Sequence, residues 1–385
     1  MWVRNNRGSA PRQCFAENKV VHFSSQETTL MKKATLALAI LAASTSAAWA
    51  QSSVTLYGIV DAAARYTTNA NPGQSDKQLV PGGMSQSRLG VNIVEDMGGG
   101  LKALANMEHR FNSDTGVTSS PTDFWRQAWV GLQSSEFGQI RLGRQYNVLF
   151  DVYTSTYASF RYSPYIEAYK PEIGLSAGAR QDNMVKYLAQ FGNVYAELSM
   201  SAGEGNSQNK SEGGLLRYAD GTFGFGGAYL QVTDTTGKKV KATTIGGSYT
   251  AGPLYVSLAW AQNKFDTGSL LQAGYTSGML NAQSAVNAAG NSVSKREMWS
   301  GGATYQLTTQ LNLGAHYWHA TQTHQLASLP GTSKADFFAA VADYAFSKRT
   351  DAYLEVDYTK FNGAVAYLNG AQKRGGAMVG LRHRF

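Results

Sequence analysis

The chain has 385 residues, of which 16% are charged and 11% aromatic, with 41 Gly, 21 Tyr and a single Cys. One cysteine, Cys14, builds no disulfide framework. The aromatic content speaks against a disordered chain, and beyond residue 50 no apolar run approaches the ~20 residues of a membrane-spanning helix. Half of the +8 net charge sits in residues 1–50, so the basic balance is no nucleic-acid signature and no nucleic-acid partner is expected.

Residues 1–30 are polar and aperiodic and are expected to be a non-native upstream extension. Residues 31–50 read as a secretory signal peptide, with Met31, Lys32 and Lys33 at the start, an apolar stretch over 34–43, and Ala48-Trp49-Ala50 as the cleavage site. Residues 51–385 then form one exported domain.

From Gln51 onward the recurring pattern has a period of two, the signature of strands with two different faces. In 54–66, Val54, Leu56, Val60 and Tyr66 share one face while Thr55, Tyr57, Asp61 and Arg65 share the other. In 101–111, Leu101, Ala103, Ala105 and Met107 oppose Lys102, Asn106, Glu108 and Arg110. Further on, Leu354, Val356 and Tyr358 oppose Tyr353, Glu355 and Asp357, and the chain ends with Val379, Leu381 and Phe385 against Arg382 and Arg384.

Strands of this kind suit a soluble sandwich as well as a barrel; the links decide. Those expected at 67–86, 112–122, 147–179, 204–212, 266–292, 323–334 and 362–371 are long and polar. The links that alternate with them, at 96–100, 134–136, 191–193, 220–221, 251–253, 308–309 and 347–350, are tight, with a moderate one at 234–238. Sorting by parity puts the tight turns at one end and the roomy loops at the other. That is the layout of an all-β, sixteen-stranded antiparallel transmembrane β-barrel. Closure is required because in lipid every backbone N–H and C=O must be paired.

Along nearly the whole exported domain the residues resemble the Gram-negative general porins, in particular their β-proteobacterial branch. The resemblance is carried by Val54-Thr55-Leu56-Tyr57-Gly58 with Asp61, by Ser87-Arg88-Leu89-Gly90, and by Glu95-Asp96-Met97-Gly98-Gly99-Gly100. It continues through Arg126-Gln127-Ala128-Trp129-Val130-Gly131-Leu132, Leu142-Gly143-Arg144-Gln145-Tyr146 and Arg180-Gln181-Asp182-Asn183 to the terminal Phe385. It implies an outer-membrane homotrimer enclosing a water-filled channel for small hydrophilic solutes and ions, among lipid and lipopolysaccharide, with neither cofactor nor metal nor enzymatic step.

In that family the third long loop folds into the lumen and narrows it. The corresponding loop, 147–179, carries Asp151, Glu167 and Glu172, the last within Pro171-Glu172-Ile173-Gly174. The resemblance places Arg88, Arg126 and Arg180 on the facing wall; the alternation adds Arg65 and Lys102. By alternation alone Arg126 is ambiguous, because Trp125 and Trp129 oppose Val130 and Leu132. The terminal Phe385 resembles the signal read by the barrel-assembly machinery. Small outward residues Gly58, Ala62, Ala64, Ala103 and Ala105 suit subunit contact. Arg144, which shares parity with Ile140 and Leu142, is expected to meet a neighbouring subunit's loop. His316 and His319 are three apart in a strand and so point to opposite faces. A second reading makes the pore incidental and assigns adhesion to long loops such as 266–292.

Overall fold

A computed structural model describes residues 52–71, 73–119, 124–206, 209–271, 293–324, 331–363 and 370–385. The expected extension and signal peptide, and 272–292 of the proposed adhesion loop, lie outside the described residues. No helix among the described residues is long and apolar enough to cross a membrane.

The strands are β1 (Ser53–Asn71), β2 (Gln74–Val80), β3 (Arg88–Gly98), β4 (Leu101–Arg110), β5 (Trp125–Ser134), β6 (Gly138–Tyr146), β7 (Arg180–Phe191), β8 (Val194–Ser201) and β9 (Lys210–Ala219). They continue with β10 (Phe223–Thr233), β11 (Lys239–Ala251), β12 (Leu254–Phe265), β13 (Val293–Gln306), β14 (Leu311–His324), β15 (Thr332–Ala345), β16 (Thr350–Asn362) and β17 (Lys373–Arg384). All belong to one antiparallel sheet in which, from β3 onward, each strand pairs with the next in sequence. The sheet closes on itself through β1 and β17, in register from Ile59↔Arg384 to Thr67↔Gly376. Gly58 and Phe385 exchange both backbone hydrogen bonds at 3.1 Å and seal the seam.

Seventeen strands fill sixteen places around the cylinder. On the side away from β17, β1 pairs with β3 over Ser53–Ile59 and with β2 over Ala63–Asn71. Thus β2 and β3 are the two halves of one barrel strand, interrupted at 81–87. This corrects the expected long link at 67–86, most of which is strand. The hairpin formed by the end of β1 and by β2 has polar residues on both faces. Such a ladder satisfies its own backbone without any apolar side chain, so the period-two signal is missing. The other expected links fall where they were read, within a few residues.

Exposed apolar side chains line the outer face of the strands. Leu354 and Val356 on β16, Leu258 on β12 and Val379 and Leu381 on β17 are exposed. Their in-facing neighbours Asp351, Tyr353, Glu355, Asp357 and Arg382 are buried. Exposed Phe137, Phe191, Tyr218, Phe223, Tyr305, Tyr344 and Phe346 stand beside the tight turns, the position of an interfacial aromatic girdle. The outer face is apolar, and the interior holds both the charges and the apolar residues on which the internal loop rests.

Candidate functional site

The interior is narrowed by 147–179. Asn147 begins it and caps helix α1 (Val148–Thr156), its side-chain oxygen accepting from the Phe150 N–H at 3.1 Å. The same side chain donates to the Ser176 carbonyl at 2.8 Å, and its N–H donates to the Ala179 carbonyl at 3.0 Å. One buried residue therefore ties the loop's entry to its exit. From there α1 crosses the interior and packs Val148, Leu149, Val152 and Tyr157 on Leu215, Ala228, Leu230 and Ala242 of β9–β11. Two glycines allow that approach. A Cβ on Gly226 would lie 2.9 Å from Val152, and one on Gly246 would lie 2.7 Å from the Tyr157 ring. The rest of the loop buries Phe160, Ile166, Tyr169 and Leu175 against β12–β17. With both apolar contacts on β9–β17, the loop leaves β3–β7 as the opposite wall.

That wall carries the arginines. Arg126 is buried, with Nε 3.3 Å from Glu108 Oε1, a terminal nitrogen donating to the Tyr165 hydroxyl at 3.2 Å, and its guanidinium 5.3 Å from the centre of the Tyr146 ring. A register shift between Glu108 and His109 against β5 turns both Arg126 and Gln127 inward, which resolves the ambiguous alternation at Trp125 and Trp129. Arg180 lies over Tyr146 at 4.8 Å and donates to its hydroxyl at 3.5 Å. Arg88 donates to the Gln86 carbonyl at 3.0 Å and lies 3.9 Å from Glu108.

The loop's carboxylates are occupied. Asp151 is ion-paired with Lys186 on β7, which also holds Glu197 at 3.3 Å. Glu167 is paired with Lys170 within the loop. Burial by itself would raise the Glu167 carboxyl, but Lys170 holds it below its ordinary value. Glu172 is buried and accepts from the Tyr153 hydroxyl at 3.0 Å. Burial pushes its carboxyl up to about 8. A closed barrel with lipid-compatible walls, polar contents and an internal loop facing a row of arginines is a channel.

The Gram-negative porin family model matches residues 37–364. The chain belongs to that family. Outer membrane porin protein 32 of Delftia acidovorans is 31% identical to this porin over 92% of the chain and 100% of the relative. The anion-selective porin from Comamonas acidovorans superimposes with a TM-score of 0.68 at 25% identity, covering 87% of this chain and 100% of that one. OmpT of Vibrio cholerae, solved in a trimer form, shares the fold with a TM-score of 0.64 at 16% identity, covering 87% and 99%. This porin is an outer-membrane diffusion channel through which small hydrophilic solutes and ions pass without a chemical step.

The structure distributes the expected constriction residues unevenly. Arg88, Arg126 and Arg180 come together around Glu108 and Tyr146, with Tyr165 of the loop. Arg65 faces the lumen as expected but is bound to the wall itself, to Glu355 at 3.2 Å and Asp357 at 2.5 Å on β16. Lys102 follows the tight turn before β4, about 20 Å along the strand from Glu108, and belongs to the periplasmic mouth. Glu172 is turned into the loop's own packing, away from the arginines. Arg144 pairs with Asp182 of the adjacent strand β7 in its own chain, and Asp182 remains half-exposed. His316 and His319 do face opposite ways. His316 is buried inside, while Nδ1 of His319 lies 2.7 Å from the part-exposed Asp336.

Sequence reasoning missed Lys186, Glu197 and the role of Glu108. Lys186 and Glu197 have inward parity on strands whose outward residues are apolar, Val185 and Tyr187 on β7 and Leu198 and Met200 on β8. That was the available signal.

Proposed function

We propose that this porin admits small hydrophilic anions in preference to cations. One observation carries the reading. Every carboxylate described above near the constriction has a neutralising partner or is buried in the loop, whereas Arg180 and the exposed Arg161 have no carboxylate within ion-pair distance among the described residues. A surplus of fixed positive charge concentrates anions at the narrowest section. Farther toward the periplasm, Arg141 lies over the Trp129 ring at 4.3 Å and Arg217 over Tyr195 at 5.5 Å, which continues a cationic track. The similarity to an anion-selective porin supports the same sign. The test is the zero-current potential of purified protein in a planar bilayer under a KCl gradient. A cation-selective potential would overturn the reading.

The functional unit is proposed to be a homotrimer, exported through the signal peptide at 31–50 and folded with the help of Phe385 by the barrel-assembly machinery. The small outward residues Ala62, Ala64, Ala103 and Ala105, together with the trimeric neighbour, support the oligomer. Outer-leaflet lipopolysaccharide is its proposed lipid partner. Lys241, Lys264 and Lys295 lie directly opposite one another on the outward faces of β11–β13, as do Lys360 and Lys373 on β16 and β17. Like charges in register repel, and phosphate groups at the headgroup level would relieve that. Loss of co-purifying lipopolysaccharide from a Lys241, Lys264 and Lys295 triple alanine variant, read by mass spectrometry, checks it.

A further inference from the structure

The interruption of the barrel strand at 81–87 is a built element. Gly82 turns the chain inward at φ +125°, where a Cβ would meet the Ser85 carbonyl oxygen at 2.4 Å. Residues 82–87 are then buried inside the barrel, Met84 and Ser87 completely. Leaving the wall deprives their N–H groups of ladder partners, and Asp61 on β1 supplies replacements. Oδ1 accepts from the Gly83 N–H at 3.0 Å, and Oδ2 accepts from Met84 at 3.1 Å and Ser85 at 2.7 Å. The Tyr353 hydroxyl donates to Oδ1 at 2.5 Å. The Ser87 hydroxyl closes the bend by donating to the Asp61 carbonyl at 3.0 Å and accepting from the Asp61 N–H at 3.0 Å.

This shelf touches both sides of the constriction. On one side the Gln86 carbonyl accepts from Arg88 Nε at 3.0 Å. On the other, the Gly83 carbonyl accepts from the Ala168 N–H at 2.9 Å and the Met84 carbonyl accepts from the Ser163 hydroxyl at 3.1 Å. Those two loop residues bracket Tyr165, whose hydroxyl accepts from Arg126, and Glu167. Met84 also packs with Phe160, Ile166 and Tyr169 of the loop.

We infer that Asp61 is a positioning residue for the pore constriction, holding the 83–85 shelf that seats the second half of the constriction loop and orients Arg88. Asp61 touches no permeating ion; it acts through the shelf. A carboxylate is needed because it alone accepts all four donors, and charge-assisted hydrogen bonds are the strong ones.

The test is single-channel recording of Asp61→Asn and Ser163→Ala trimers that keep the detergent-resistant mobility of the parent. An amide at 61 presents N–H to backbone N–H, so the seated loop should lose on the order of tenfold in its equilibrium with an unseated one. Time in conductance sublevels should rise accordingly and the zero-current potential should move toward zero. Ser163→Ala, which leaves Asp61 and the shelf intact, should raise the same sublevels more weakly, and the double variant should add little to Asp61→Asn. Asp61→Asn trimers with a lowered melting temperature but parental conductance, sublevels and zero-current potential would overturn the inference. If Asp61→Asn yields no folded trimer, Tyr353→Phe, which removes one donor to Asp61, takes its place with the same expected and overturning results.

Discussion

Arg126 Nε and Glu108 Oε1 stand 3.3 Å apart on adjacent strands, at the one point where the β4–β5 register slips. The bulge turns the arginine inward, and Glu108 faces both Arg126 and Arg88, so one carboxylate offsets two guanidinium groups. Replacing Glu108 with Gln is expected to raise anion preference in a salt gradient. It also strands Arg126, which is 2% exposed. The thermal stability of the folded protein should fall, the loss of one partner from a buried pair being worth about 3–5 kcal/mol.

Arg180 and Lys186 are expected to affect selectivity by different routes. Arg180→Ala removes a cation that has no carboxylate within ion-pair distance among the described residues. Lys186→Ala frees Asp151 to face the lumen and leaves Glu197 without its ion pair. Both should shift the zero-current potential toward cations; one charge a few ångströms from the ion path is worth about 1 kcal/mol, or roughly fivefold in the permeability ratio. Lys186→Ala combined with Asp151→Asn should recover most of the parental value, while Arg180→Ala should be indifferent to Asp151→Asn.

The seat of the loop should depend on pH through Glu172. Its carboxyl is raised to about 8 by burial, so the fold favours the protonated acid. The stabilisation it contributes is complete below the ordinary carboxylate range and is lost as pH rises through about 8. Open-channel noise is expected to increase as pH rises from the ordinary carboxylate range to about 8, and Glu172→Gln, which stays neutral, should flatten that rise. A parental profile equally flat across the interval would show that Glu172 does not report on the loop.

Arg144 and Asp182 form an ion pair on the outward side of β6 and β7, with Asp182 55% exposed. An exposed pair contributes about 0.2–1 kcal/mol. A double-mutant cycle with Arg144→Ala and Asp182→Asn, read by thermal unfolding in detergent, should give a coupling within that range.

How far the sequence was legible depended on the kind of information each feature required. Parity along a strand is a local property, so Arg65, Glu355 and Asp357 could be assigned to the lumen from their neighbours alone. Gly226 and Gly246 carry no such signal, because their meaning depends on a helix more than sixty residues away. Glu172 was legible as part of a loop motif, but its burial follows from the way that loop closes on Tyr153.

By itself, then, the sequence determined the closed barrel, its sixteen places and the sorting of tight turns to one end and long loops to the other. Period-two alternation and the parity of link lengths are written residue by residue, and lipid enforces them by requiring every backbone group to be paired. Only the tertiary structure decided which charges act. Whether a carboxylate is free, neutralised or buried depends on partners brought together across the lumen, as Asp151 meets Lys186 and Asp61 meets Tyr353. Those encounters are set by where one long loop and one interrupted strand come to rest inside the wall.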